Sequence, residues 1–219
     1  MPLNLEQARF NMIEQQVRTW DVLDPAVLEV LGSVPREDFV PARYRKLAFA
    51  DLRIPLGFDQ VMMKPLEEGR MLQALAINPG ENVLEIGTGS GFTAACLAAL
   101  GGQVSSVEIV PELADSASRR LERAGFGAVS LQQGDALAES TLEGLFDVLV
   151  VTGSCAAVPA SIKRLVSPGG RVFAVIGHAP AMEAVCLRHC APDRWLVESL
   201  FETNLPRLTG AEDRPVFEF

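Results

Sequence analysis

The sequence predicts an α/β fold: a mostly parallel sheet with crossover helices, entered through an N-terminal helical cap. Three observations carry this. From residue 82 onward, short apolar runs alternate with segments of helical period, the pattern of strands joined by crossover helices. Glycines bunch where the first apolar run gives way to a helix. The first third of the chain instead shows apolar residues at helical spacing only.

In the cap, Leu5, Phe10, Ile13 and Val17 recur at that spacing, and Asp24-Pro25 opens a second helix through Val27, Leu28 and Leu31. Between Pro35 and Pro65 the residues Pro41, Pro55 and Gly57 interrupt any long element, predicting irregular backbone with short helical or extended pieces. Such a segment ahead of a ligand-binding core is a natural substrate-facing loop. A helix through Met71, Leu72 and Leu75 stops at Asn78-Pro79-Gly80. Residues 82–86 form the first strand of the core, 93–100 an Ala/Leu-rich helix, 103–107 a second strand and 111–124 a helix opened by proline. Strands follow at 128–131 and 146–151, the latter apolar apart from Asp147, as suits a strand buried on both faces. Residues 158–166 read as a helix ended by Pro168-Gly169-Gly170, and 171–176 as a fifth strand. Segments 184–187 and 195–201 read as an antiparallel pair turning around Ala191-Pro192-Asp193. The expectation is one domain, 1–219, with 1–78 as cap and substrate-facing loop and 79–219 as the ligand-binding core.

Composition excludes several classes. Hydrophobic residues at 48% and charged residues at 21% place the chain with self-folding globular proteins. A formal net charge of -9 gives a mean field that repels phosphate backbones and anionic lipid surfaces, so neither nucleic acid nor membrane is an expected partner. No apolar run reaches the roughly 20 residues that cross a bilayer, and the N-terminus lacks the order of a secretion signal, so a cytoplasmic location is expected. The four cysteines lack regular spacing and read as reduced thiols. Cys186, His189 and Cys190 lie close in sequence, but a structural metal site takes four ligands in recognisable pairs, and none is expected.

The segment Glu85-Ile86-Gly87-Thr88-Gly89-Ser90-Gly91 carries the chemistry. A strand passing through alternating glycines into a helix sets backbone, not side chains, against a ligand. The spacing differs from the dinucleotide fingerprint, and no Lys-Ser/Thr pair follows as in a phosphate-binding loop, so a pyrophosphate is not the first ligand to expect. Glu108 ends the second strand, where a carboxylate can accept from both hydroxyls of a ribose, and Gly134-Asp135 follows the third, near an adenine edge. Each has a structural alternative: Glu108 capping the helix that begins at Pro111, and Asp135 forming a turn.

Val83-Leu84-Glu85-Ile86-Gly87-Thr88-Gly89-Ser90-Gly91-Phe92 resembles motif I of class I S-adenosylmethionine-dependent methyltransferases, and more narrowly the protein-L-isoaspartate O-methyltransferase family. Met12-Ile13-Glu14-Gln15-Gln16-Val17-Arg18, Val34-Pro35-Arg36-Glu37-Asp38-Phe39-Val40-Pro41 and Phe146-Asp147-Val148-Leu149-Val150-Val151-Thr152 point the same way. The resemblance implies a doubly wound, mostly parallel seven-stranded sheet. It implies S-adenosylmethionine held by Glu85, Gly87, Thr88, Gly89, Ser90 and Gly91, then by Glu108 with Ile109, Asp135 with Ala136, and Thr152. Isoaspartyl-containing proteins or peptides are the implied partners.

The chain also departs from the family. Where the family reads Gly-Gln-Thr-Ile-Ser-Gln-Pro, this sequence has Asp59-Gln60-Val61-Met62-Met63-Lys64-Pro65, so the resemblance implies that Gln60, Val61 and Met62 face the substrate and that Met63 occupies the position of the family's active-site serine. A thioether cannot donate a hydrogen bond, so whatever that hydroxyl does for the acceptor is lost. Both methionines read equally well as packing. The two histidines, His178 and His189, come late, and no acidic or histidine cluster accompanies Met62-Met63 in sequence. That favours an acceptor carboxylate, ionised at neutral pH, over a phenol that needs a base. Arg36 and Lys64 are candidates for drawing in that carboxylate. Three functions follow: isoaspartyl carboxyl methylation, methylation of a small apolar metabolite in a pocket near Phe58, Val61, Met62 and Met63, or a donor-binding module without turnover.

Overall fold

The computed structural model describes residues 4–138 and 142–211. The cap begins with α1 (Leu5–Met12), whose first turn is closed by the Asn4 side chain accepting from the Gln7 N–H. The chain stays helical through a π turn (Ile13–Val17) and a 3-10 turn (Arg18–Trp20), which keeps Met12 and Val17 facing inward. In α2 (Pro25–Ser33) proline sits at the first position and Asp24 accepts from the Ala26 N–H, as the sequence predicts. The interrupted segment resolves into α3 (Arg36–Phe39), a 3-10 turn (Ala42–Leu47) and a two-stranded hairpin, β1 (Ile54–Gly57) with β2 (Gln60–Met62). Its turn residues Phe58 and Asp59 both have positive φ, 54° and 56°, matching the right-handed twist of the strands they join. Then α4 (Pro65–Leu75) leads into the core, its last carbonyls at Leu75 and Ala76 receiving the buried guanidinium of Arg171.

The core runs β3 (Asn82–Ile86), α5 (Phe92–Ala99), β4 (Gln103–Glu108), α6 (Pro111–Arg123), β5 (Ser130–Gln133), β6 (Phe146–Cys155), α7 (Ala160–Lys163), β7 (Val166–His178), β8 (Ala181–Ala191) and β9 (Arg194–Thr203). Its seven strands lie in the order β5-β4-β3-β6-β7-β8-β9, parallel from β5 to β7 and antiparallel across β7-β8 and β8-β9. Because β4 and β6 flank β3 on opposite sides, the direction of sheet growth reverses at β3. That reversal opens a crevice at the carboxyl ends of these strands.

Burial follows the strand alternation. Val83, Val148, Val150 and Phe173 face the cluster that includes Met12, Val17 and Leu31 of the cap, while Leu84, Leu149, Val151 and Val172 face a second cluster with Ile162. The run Val148, Leu149, Val150, Val151 is fully buried, as expected of a strand covered on both faces. In α6, Leu113, Ala114, Ala117 and Leu121 face inward and Arg119 and Arg123 face out.

Two expectations about elements are corrected. The helix expected over 158–166 shrinks to the four residues of α7, and Val166 already pairs with Phe146. Val158, Ile162 and Val166 satisfy a helical period, but Val166 spends its side chain in the sheet core, and Pro168-Gly169-Gly170 forms a bulge within β7 rather than a helix stop. The third core strand falls at Ser130–Gln133, not 128–131: it is an edge strand with mostly exposed side chains, so hydrophobicity sets its position weakly.

Candidate active site

A buried polar chain supports the glycine loop from beneath. Glu85 on β3 pairs in register with Ser106 on β4, whose hydroxyl donates to Glu85 Oε2 at 2.5 Å. With that proton committed, Thr88 Oγ1, 2.6 Å away, donates to Ser106. All three residues are buried. Burial pushes the Glu85 carboxyl up to about 8; the Ser106 hydrogen bond opposes the rise, and the charges of Glu108 and Glu68 add to it. The loop above is held by Thr152 of β6, which donates to the carbonyls of Ile86 at 3.0 Å and Gly87 at 2.5 Å. Gly87 has φ +94°, and a Cβ there would stand 2.4 Å from Thr152 Oγ1. Only glycine fits that position. At Gly91, φ +86°, the backbone turns into α5 and an added Cβ would press on Ala117 at 3.3 Å.

A cleft of about 640 Å³ runs across the carboxyl ends of β3, β4 and β5. Gly87, Gly89, Glu108, Ile109, Asp135, Ala136 and Thr152 line it, joined by Gln60 and Val61 from the hairpin and by Leu208 and Thr209 from the segment after β9. Glu108 Oε2 accepts from the Gly89 N–H at 2.8 Å and Oε1 from the Val110 N–H at 3.0 Å. A carboxylate oxygen has two lone pairs, so each keeps one able to accept from a group in the cleft while the two backbone bonds fix its orientation. Glu108 therefore combines a backbone-capping contact with a place in the cleft. Asp135 does likewise: Oδ1 accepts from the Leu137 N–H at 2.8 Å in a turn, and the residue lines the cleft.

A smaller chamber of about 280 Å³ continues beyond the glycine loop. It shares Leu56, Val61, Gly87, Gly89 and Thr152 with the cleft and adds Met62, Met63, Glu68, Thr88, Ser90 and Thr93. Ser90 Oγ accepts from the Phe92 N–H at 3.2 Å, stiffening the start of α5. Met62 and Met63 line this chamber and also belong to the hydrophobic core, so packing and chamber wall are one role.

The structure thus brings the sequence-selected residues of three strand ends together, with two exceptions. Glu85 lies wholly beneath the loop and reaches it through Ser106 and Thr88; its carboxyl is not part of the cleft wall. Gly91 shapes the turn without lining either cavity. Arg36 is corrected outright as a carboxylate attractor. It is buried, donating to Glu68, to the Met63 carbonyl at 2.7 Å and to the Ala48 carbonyl at 2.7 Å, with its guanidinium 4.8 Å from the centre of the Phe92 ring. Lys64 Nζ faces Asp51 at 3.5 Å.

Three residues escaped the sequence reading. Glu68 is the acid beside Met62-Met63 that the sequence did not reveal, because Glu67-Glu68 reads there as ordinary acidic residues in a helix's first turn. Ser106 stands in the Ser106-Val107-Glu108 segment that resembles the family, but nothing in the sequence assigns it a role of its own. Leu208 reaches the cleft because the chain after β9 returns to β6, where its N–H donates to the Ser154 carbonyl at 2.9 Å. Outside the site, His189 stacks on Trp195 and Nδ1 lies 3.2 Å from the Val166 and Ser167 carbonyls. Among the described residues no cluster of His, Cys, Asp and Glu able to hold a metal occurs, and no helix is long and apolar enough to cross a membrane.

Comparison with known proteins decides the family. The family model described as protein-L-isoaspartate(D-aspartate) O-methyltransferase matches residues 7–193. The chain belongs to this family. The chain is 37% identical over 205 residues to protein-L-isoaspartate O-methyltransferase 1 of Rhodopseudomonas palustris strain HaA2, covering 93% of this chain and 84% of that protein. It is 40% identical over 166 residues to the Gloeobacter violaceus protein of the same family name, covering 76% and 81%. The fold is shared with a solved protein-L-isoaspartate O-methyltransferase at TM-score 0.76 and 23% identity, over 91% of this chain and 65% of that one. It is shared also with a Plasmodium falciparum structure of the family in complex with S-adenosyl-L-homocysteine, at TM-score 0.76 and 16% identity, over 94% and 98%. The seven-stranded, mostly parallel sheet expected from the resemblance is the observed one.

Proposed function

We propose that this chain transfers the methyl group of S-adenosylmethionine to the free carboxylate of isoaspartyl residues in proteins and peptides, acting as one catalytic unit of cap and core. The observation that carries the proposal is family membership over 7–193 combined with a cleft whose lining supplies what the donor needs. Glu108 offers lone pairs to the ribose, Asp135 and Ala136 border the adenine end, and the bare backbone of Gly87 and Gly89 lets the thioether portion pass close.

In the transfer, a carboxylate oxygen of the acceptor attacks the methyl carbon in line with the sulfur. The O–CH3 bond forms as the S–CH3 bond breaks, and the sulfonium leaves as the neutral thioether of S-adenosylhomocysteine. A carboxylate with a reference pKa near 4 is already ionised at neutral pH, so no proton has to be removed. The chain's task is to align two reactants and keep water out. Val61 and Leu56 border both chambers, and with Met62 and Met63 they make the wall between hairpin and glycine loop apolar.

The test compares an isoaspartyl peptide with its normal aspartyl twin, each incubated with purified protein and methyl-labelled donor. Base-labile label in the isoaspartyl peptide alone supports the reading; equal or absent labelling overturns it. The apolar wall at Val61, Met62 and Met63 favours one second reading, a small apolar acceptor, for which donor-dependent mass gain in metabolite extracts is the signature. Restoring hydroxyls with Val61→Thr and Met63→Ser is expected to raise isoaspartyl kcat/KM if the substitutions retuned the acceptor side.

A further inference from the structure

Building on the donor-cleft reading above, the structure assigns Glu68 as the carboxylate that receives the α-ammonium of the donor's amino-acid tail. The placement follows from how the two cavities join. The adenosine end belongs with Glu108 and Asp135, and the cleft continues past Gly87 and Gly89 into the chamber under the loop. A ligand anchored at Glu108 and running over the glycines therefore ends in a chamber whose lining includes one acid, Glu68, and two hydroxyl residues, Ser90 and Thr93, whose protons are not committed elsewhere in the site. An amino acid's zwitterion asks for that pairing of groups: a carboxylate for its ammonium, hydroxyls and the opening backbone of α5 for its carboxylate.

Charge counting points the same way. Glu68 is 2% exposed, and one of its oxygens, Oε2, takes the Arg36 guanidinium. Arg36 also donates to two backbone carbonyls, so its orientation is fixed and it holds Glu68 in place. Burial pushes the Glu68 carboxyl up against the pull of Arg36, which leaves an acid that gains from a second cation beside it. The bound donor brings a sulfonium, an ammonium and a carboxylate. Its two cationic groups then face a lining whose acids, Glu68, Glu108 and Asp135, outnumber the buried guanidinium of Arg36.

The experiment uses two ligands that differ only in the tail. S-adenosylhomocysteine carries the amino acid, whereas 5′-methylthioadenosine keeps the adenosine and sulfur but lacks it. Titration calorimetry of the Glu68→Gln protein is expected to show S-adenosylhomocysteine weakened by about 10- to 100-fold, the loss of one hydrogen bond between charged groups, with methylthioadenosine within about twofold of the unsubstituted protein. Unchanged methylthioadenosine binding also shows that the cleft in the variant remains intact. The unsubstituted protein supplies a second measurement that needs no variant: the S-adenosylhomocysteine analogue with hydrogen in place of the amino group is expected to bind more weakly than its parent by a similar factor. Loss of both ligands in step in the variant, or an unsubstituted protein indifferent to the amino group, overturns the assignment. Failure of the unsubstituted protein to bind either adenosine ligand would instead refute the donor cleft itself.

Discussion

Glu108→Ala separates the backbone contacts of this residue from its proposed role as acceptor for the donor's ribose. The residue is 4% exposed, and its carboxylate is held by the N–H groups of Gly89 at 2.8 Å and Val110 at 3.0 Å. Binding adds two hydrogen bonds from ribose hydroxyls to a charged acceptor, each worth about 1.5–3 kcal/mol before water re-enters the emptied space. Water in an open cleft returns part of this, so the net loss of binding is about 2–4 kcal/mol, or roughly 30- to 1000-fold in Kd for S-adenosylhomocysteine. The two orphaned N–H groups border the same cleft and find water, so the folding cost is smaller, about 1–2 kcal/mol. Calorimetric titration at 25 °C alongside thermal denaturation reads both. A folded variant that binds S-adenosylhomocysteine within about threefold of the unsubstituted protein refutes the ribose role and leaves Glu108 as a cap alone.

Three further predictions concern the loop, the buried acid and the hairpin. Gly87→Ala places a Cβ 2.4 Å from Thr152 Oγ1 at φ +94°; the variant should lose at least about 2 kcal/mol of stability and most donor binding, by chemical denaturation and titration. Glu85→Gln mimics the protonated acid, and its benefit should grow with pH. An unfolded glutamate ionises near 4.5 and this one near 8, so native Glu85 keeps its proton over that window and the stability of the unsubstituted protein falls as pH rises. Between pH 5 and 8 the variant should gain on the order of 3 kcal/mol relative to the unsubstituted protein; parallel urea midpoints across that range would contradict it. Phe58→Gly relieves a left-handed residue at φ 54° whose side chain is 54% exposed, and should raise the urea midpoint by an amount equivalent to about 1 kcal/mol.

Much of this architecture was legible because local chemistry and global fold agree. The strand at 82–86, the glycines after it and the acids at 108 and 135 each follow from one short stretch of sequence, and the sheet order brings their strand ends together. What escaped depends on distant partners. Arg36 sits in an exposed-looking Pro-Arg-Glu segment, yet becomes buried because Glu68, 32 residues later, and two carbonyls close around it. Glu85 resembles a ligand-contacting acid because it opens the motif, but alternation along β3 turns it inward to Ser106. The hairpin went unseen because its turn uses Phe58 and Asp59 at positive φ, where Asn-Gly would have announced it. Helical periodicity overran α7 because Val166 satisfies both a helix period and a buried strand start.

The most direct test of the donor cleft is a crystal structure of the protein grown with S-adenosylhomocysteine. The ribose hydroxyls should lie within hydrogen-bonding distance of the Glu108 carboxylate, with adenine beside Asp135 and Ala136 and the tail crossing Gly87 and Gly89. Density for the ligand anywhere else, or a cleft holding only water at saturating ligand, would contradict the account.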